Sequence, residues 1–150
     1  QRAGLESRFS SCMVGRVGRR IRYIVAHGLC AQPKGYARFM EQIELDDGTA
    51  DRFLLDAPGT SLLVFTSATC ANCKMARARL PDMSLPVRRL CWIDAGRNQG
   101  LVERYEVFHL PSMFVVRNGV FYGAVQATLA EWDIRRQVSL ALDGYPAELP

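Results

Sequence analysis

The sequence has no run of about 18 apolar residues, so it encodes no membrane-spanning helix. It has no Gly-rich loop of the phosphate-binding kind. Gly15-Arg16-Val17-Gly18 lacks both a preceding strand and the accompanying lysine, so no flavin or nicotinamide cofactor is expected. No carboxylate dyad, internal repeat or low-complexity segment is present. Histidine occurs twice, and seventeen of the nineteen cationic side chains are arginine. Cysteine, at five residues, is too sparse and of the wrong parity for a disulfide-stapled miniprotein. What remains is 150 residues that are 49% hydrophobic and 23% charged, which is the composition of a single globular domain with a sizeable core.

The net charge of +4 is unevenly placed. Residues 1–35 hold seven basic groups against the single acid Glu6, whereas residues 36–150 are slightly acidic. The chain therefore divides into a basic N-terminal extension, 1–35, and a nearly neutral domain, 36–150. A basic arm attracts polyanions in general, but a solvated extension accounts for this one, and no nucleic-acid or membrane partner is expected. Arg19-Arg20-Ile21-Arg22 followed by Tyr23–Ala26 has the order of an export signal, with an apolar stretch of only about seven residues, short for that role. Free cysteines and this short stretch favour a reducing, cytoplasmic setting. A periplasmic location is the alternative if the basic segment acts as a signal.

The domain alternates strand and helix patterns. Phe39–Leu45 reads as a strand ending at the Asp46-Asp47-Gly48 turn, and Ala50–Leu55 as a short helix. Ser61–Thr66 is a continuous apolar, β-branched and aromatic run, the pattern of a strand buried on both faces. A helix from Cys70 to Leu80 stops at Pro81. Val87–Ile93 is a second buried strand, Gly100–Tyr105 a short helix, and Met113–Val116 a third strand. Asn118-Gly119 joins that strand to Val120–Val125 as a hairpin. Leu129–Leu142 is an amphipathic helix directing Leu129, Trp132, Ile134, Val138 and Leu142 at the sheet. This order predicts an α/β fold with parallel crossover pairs and an antiparallel edge supplied by the hairpin.

Chemistry concentrates at Cys70-Ala71-Asn72-Cys73. Cys70 lies where a strand gives way to a helix, and free N–H groups at a helix start stabilise a thiolate. Cys73, one turn on and on the same face, can close a disulfide with it, giving an attacking and a resolving thiol. Two other readings compete. The pair is half of a zinc site if His27 and Cys30 supply the other half, or it is a redox-inactive packing pair on a binding module.

The apolar strand before the cysteines, Cys70-Ala71-Asn72-Cys73-Lys74-Met75, Ile93-Asp94, Tyr105, Leu110-Pro111-Ser112, Asn118-Gly119 and the final helix together resemble the thioredoxin family over roughly residues 36–150. The resemblance implies a three-layer α/β/α sandwich around a mixed sheet. It also implies a cis peptide before Pro111, facing the disulfide, and a Leu110 backbone that docks an extended cysteine-bearing peptide. The chain departs from the family pattern at several points. Ala71-Asn72 replaces Gly-Pro, Thr69 replaces Trp, and Thr66 replaces another aromatic. Ala127 matches the glycine of the last strand. Val64 and Leu90 stand where the family has a buried Asp and its partner Lys, which implies weaker activation of Cys73.

The expected function is thiol–disulfide exchange in the reducing direction, with Cys70 and Cys73 as the reacting pair. Leu110, Pro111, Ala71 and Asn72 are the expected substrate contacts, and His109 a possible modulator of the Cys70 thiolate. The alternative is a thioredoxin-fold binding or assembly module with vestigial redox chemistry. No metal and no cofactor beyond the redox-active disulfide is expected. The expected partners are cysteine-containing protein substrates and a separate reductase or oxidase, and the chain is expected to be a monomer. Cys91 reads as a core residue, Cys12 and Cys30 as free thiols, Trp92 and Trp132 as packing residues, and Asp94 as a turn cap.

Overall fold

The computed structural model describes residues 40–150. The basic extension with its Arg19-Arg20 segment, His27, Cys12 and Cys30 lies outside the described residues. In chain order the elements are β1 (Glu41–Leu45), α1 (Ala50–Asp56), β2 (Thr60–Thr66), α2 (Ala71–Arg79), β3 (Arg89–Asp94), α3 (Gln99–Arg104), β4 (Ser112–Arg117), β5 (Val120–Val125) and α4 (Glu131–Leu142). A 3₁₀ turn at Leu80–Asp82 follows α2, because Pro81 has no N–H to continue the α-helical ladder. Among the described residues no helix is long and apolar enough to cross a membrane.

The strands form one sheet in the order β1-β3-β2-β4-β5. β3 pairs in parallel with both β1 and β2, while β4 is antiparallel to β2 and β5 is antiparallel to β4. The antiparallel part thus begins at β4, one strand earlier than the hairpin alone predicts. The connection from β3 through α3 brings the chain back into the sheet at the end where β3 left it, whereas the connection from β1 through α1 crosses to the other end before β2. The hairpin itself follows its dipeptide, with Asn118 at φ 52° and Gly119 at φ 78°. A Cβ on Gly119 would stand 3.0 Å from the Leu55 carbonyl oxygen, so this position takes glycine for space as well as conformation.

Alternation along each strand divides the core between the two faces. Leu62, Val64, Leu90, Trp92, Met113 and Val115 pack with Ala76 and Leu80, and with Ile134 and Val138 of α4. Leu63, Phe65, Cys91, Ile93, Phe114 and Val116 pack with Ala50 and Leu54 of α1, Leu101 of α3 and Tyr105. Trp132 does not join the first layer: it is 67% exposed. The helical stripe of α4 centres on Ile134 and Val138, both fully buried. Trp132 lies two residues before Ile134, about 200° around the helix, so it faces away.

Two polar devices hold loops over the sheet ends. Gly100 N and Leu101 N donate to the Asp47 carboxylate at 3.2 and 2.8 Å, so the β1–α1 turn caps α3. The N–H and hydroxyl of Thr128 both donate to Asp133 Oδ2 at 2.8 Å, and those two bonds hold the Asp133 carboxyl below its ordinary range. The Tyr105 hydroxyl, by contrast, is buried without a hydrogen-bond partner among the described residues, and burial pushes its pKa up to about 12.

Replacing Asp47 with Ala is expected to cost about 1 kcal/mol of unfolding free energy in urea titration, and Asp47→Asn less, since an amide oxygen still accepts. Tyr105→Phe removes an unpaired buried hydroxyl, so it is expected to leave stability unchanged or raise it in the same titration. A fall of more than about 1 kcal/mol would mean that the hydroxyl has a partner.

Candidate active site

β2 is buried along its length and lies between β3 and β4, so its C-terminal end is firmly placed. Ser67–Thr69 turn the chain out of the sheet. Cys70 follows as the N-cap of α2 with extended backbone (φ −84°, ψ 118°), and its sulfur accepts the Cys73 N–H at 3.2 Å. This is the geometry in which a helix start stabilises negative charge on sulfur. Cys70 and Cys73 are paired as a disulfide with Cα atoms 5.2 Å apart. Cys70 is partly exposed, whereas Cys73 is buried at 1% exposure.

The antiparallel register places the start of β4 beside the end of β2, with Phe65 opposite Ser112. The segment before β4 therefore faces the cysteines. The Leu110–Pro111 peptide bond is cis, and the Leu110 carbonyl oxygen lies 3.8 Å from the Cys70 sulfur. Ser112 donates its hydroxyl to the His109 carbonyl at 2.5 Å, fixing this loop from the strand side. Beside it runs a groove of about 400 Å³ lined by Asn72, Met75, His109, Leu110, Pro111 and Thr128, among others.

Of the residues singled out from the sequence, Cys70, Cys73 and Leu110 meet at the β2–α2 junction. Asn72, His109, Leu110 and Pro111 share the groove. Ala71 is exposed on the first turn of α2 and is not part of the groove lining. Asp94 accepts the Gly96 N–H at 2.9 Å, the turn cap expected of it. Beneath α2, Val64 and Leu90 are fully buried and apolar, so neither supplies an acid or base to the buried thiol. Among the described residues no group of three or more Cys, His, Asp or Glu side chains is arranged to hold a metal ion.

Sequence reasoning missed Arg77. Its guanidinium makes a two-point contact with the Glu44 carboxylate at 2.6 and 3.2 Å, and donates to the Thr66 hydroxyl at 3.3 and 3.2 Å. It also lies 4.7 Å from the centroid of the Trp92 ring. The available signal was its spacing, four residues after Cys73, which on a helix means the same face.

The structure is similar to a thioredoxin from Trypanosoma brucei brucei, with a TM-score of 0.58 and 18% identity over 74% of this chain and 99% of that one. It is also similar to the zinc-bound form of human ERp44, with a TM-score of 0.56 and 17% identity over 67% of this chain and 32% of that one. The match thus spans about a third of the ERp44 chain. No family model and no curated protein matches the sequence. The fold is thioredoxin-like, with the paired cysteines at the end of its central strand.

The third cysteine among the described residues, Cys91, is fully buried in β3, and burial pushes its thiol pKa up to about 12. After reduction, native protein treated with iodoacetamide at pH 8 is therefore expected to be alkylated at Cys70 and not at Cys91. Peptide mass mapping reads both. Alkylation of Cys91 at a rate comparable to Cys70 would mean that β3 opens readily.

Proposed function

We propose that the protein is a thiol–disulfide oxidoreductase that reduces disulfides in cysteine-bearing protein substrates. The observation that carries this reading is the partly exposed Cys70 sulfur at the α2 N-cap, accepting the Cys73 amide and 3.8 Å from the carbonyl oxygen of Leu110, a residue that lines the neighbouring groove. The Cys70 thiolate of the reduced protein attacks one sulfur of the substrate disulfide. A mixed disulfide forms, and the other substrate sulfur leaves as a thiolate that takes up a proton. Cys73 then loses its proton and attacks the Cys70 sulfur. The second substrate thiol is released, and the Cys70–Cys73 disulfide carries the two-electron oxidation.

Exposure supports this division of roles: Cys70 is partly exposed, whereas Cys73 is buried and bonded to Cys70. Leu110 offers its backbone to an extended substrate segment, with Pro111, Asn72 and Ala71 flanking it and His109 as a nearby cation when protonated. A separate reductase, or a small dithiol in vitro, returns the pair to the reduced state.

The test pairs trapping with a redox titration. Cys73→Ser is expected to accumulate covalent mixed disulfides with protein substrates, resolved by dithiothreitol, and Cys70→Ser none. Wild type in glutathione buffers is expected to show a reversible two-electron transition absent from Cys70→Ser, and to reduce insulin. A midpoint near about −270 mV fits a reductase, whereas one near about −120 mV would reverse the direction of electron flow. If no transition depends on Cys70, the oxidoreductase reading fails and the binding-module alternative replaces it.

A further inference from the structure

We infer that Arg77 is a positioning residue that sets the redox equilibrium of the Cys70–Cys73 pair, and that Glu44 opposes it. The inference rests on the oxidoreductase reading and extends it to residues outside the groove. Cys70, Cys73 and Arg77 are spaced i, i+3 and i+7, a single stripe along α2. On a helix, residues four apart have Cβ atoms about 5–6 Å from one another, so Arg77 leaves α2 one turn after Cys73 and reaches from there to the end of β2 at Thr66.

The side chain is not a free surface cation. Glu44 on β1, Thr66 at the end of β2 and the Trp92 ring on β3 hold it over the strand ends. These three strands meet there in register, with Trp92 opposite both Glu44 and Val64. Cation and anion meet there, the Glu44 carboxylate in two-point contact with the guanidinium at 2.6 and 3.2 Å and its side chain 66% exposed, so the two charges bear on the dithiol with opposite sign.

Reduction by glutathione converts the disulfide and two glutathione thiols into the dithiol and one glutathione disulfide. Both electrons enter the Cys70–Cys73 pair, and the reduced form carries thiolate character that the disulfide lacks. A fixed cation stabilises that charge and draws the equilibrium towards the dithiol, which makes the disulfide more oxidising. The Glu44 carboxylate partly neutralises the guanidinium, so it draws the equilibrium back. With Val64 and Leu90 apolar beneath the helix, neither offsets the effect. The Arg77 side chain is 39% exposed, so solvent and salt weaken its influence without abolishing it.

The experiment measures the glutathione equilibrium constant of the full-length chain by quantifying the Cys70–Cys73 peptide in its two states, at low salt and at about 1 M salt. Arg77→Gln is expected to shift the constant three- to tenfold towards the disulfide, which is about 14–30 mV more reducing. Glu44→Gln is expected to shift it about threefold the other way, and Arg77→Lys to stay within twofold of wild type. Both shifts should shrink in high salt. A purely structural clamp predicts something else: Glu44→Gln and Arg77→Gln would change the constant in the same direction, with Lys no better than Gln. That pattern, or constants all within twofold of wild type, overturns the inference while leaving the oxidoreductase reading intact. If Arg77→Gln does not fold, the sign of the Glu44→Gln shift at an exposed position decides the matter alone. A wild-type chain with no Cys70-dependent transition removes both readings together.

Discussion

The burial of β2 on both faces is the constraint from which the reactive end follows. Ser61 to Thr66 are all buried, with Leu62 and Val64 packed to one side and Leu63 and Phe65 to the other. A strand so enclosed, bonded to β3 on one side and β4 on the other, has no freedom of register, because a slip of one residue would exchange its two faces. Its end therefore delivers Cys70 to a fixed point. The antiparallel pairing with β4 brings Leu110 and Pro111 to the same point from the opposite chain direction. The site is where one strand ends and another begins, on neighbouring ladders. Mobile connections are not needed to assemble it.

This explains which parts were legible in the sequence. Two-sided burial writes continuous apolar runs, so β2, β3 and β4 were each visible as such runs, and Asn118-Gly119 marked the hairpin through its left-handed backbone. The cysteine spacing at a strand-to-helix junction was legible directly, whereas the placing of Leu110-Pro111 against the disulfide came only from the likeness to the thioredoxin family. Less legible was anything set by the path between elements. The direction of β4 depends on the path from β3 through α3, which composition does not encode. Trp132 lies only two residues from a core position, and tryptophan's size invites a place in the core that its helical angle refuses. Arg77 read as one more arginine on a basic helix. Its partners Glu44, Thr66 and Trp92 are 33, 11 and 15 positions away in the chain, and no local pattern announces contacts of that kind.

The two well-anchored arginines on the parallel side of the sheet illustrate opposite uses of a cation. Arg89, at the start of β3, has a side chain only 4% exposed, and donates to Ser61, the Pro58 carbonyl and Glu41. A buried guanidinium of this kind is stable only because each contact offsets part of the lost hydration, and removing one partner would leave charge without compensation. It stitches the beginning of β3 to the loop before β2. Arg77 sits at the other end of these strands with its side chain 39% exposed and a carboxylate that is itself open to water. Its desolvation is modest, and a two-point contact with Glu44, bonds to Thr66 and the Trp92 ring hold it in place. The deeply buried cation holds the sheet to its loop, whereas the half-exposed one sits on the helix that carries the two paired cysteines.

The same contrast separates the three cysteines among the described residues. Cys91 lies in the middle of β3, and burial pushes its thiol up to about 12, outweighing the opposing influence of the Arg89 charge and a hydrogen bond with Ser61. Cys73 is buried almost as deeply, yet it belongs to the first turn of a helix and is bonded to Cys70. Cys70 has the helix start itself and an N–H directed at its sulfur. Depth alone does not separate Cys73 from Cys91. What separates them is the partner within reach: Cys73 is bonded to Cys70 where β2 ends and α2 begins, whereas Cys91 lies within the sheet with no disulfide partner.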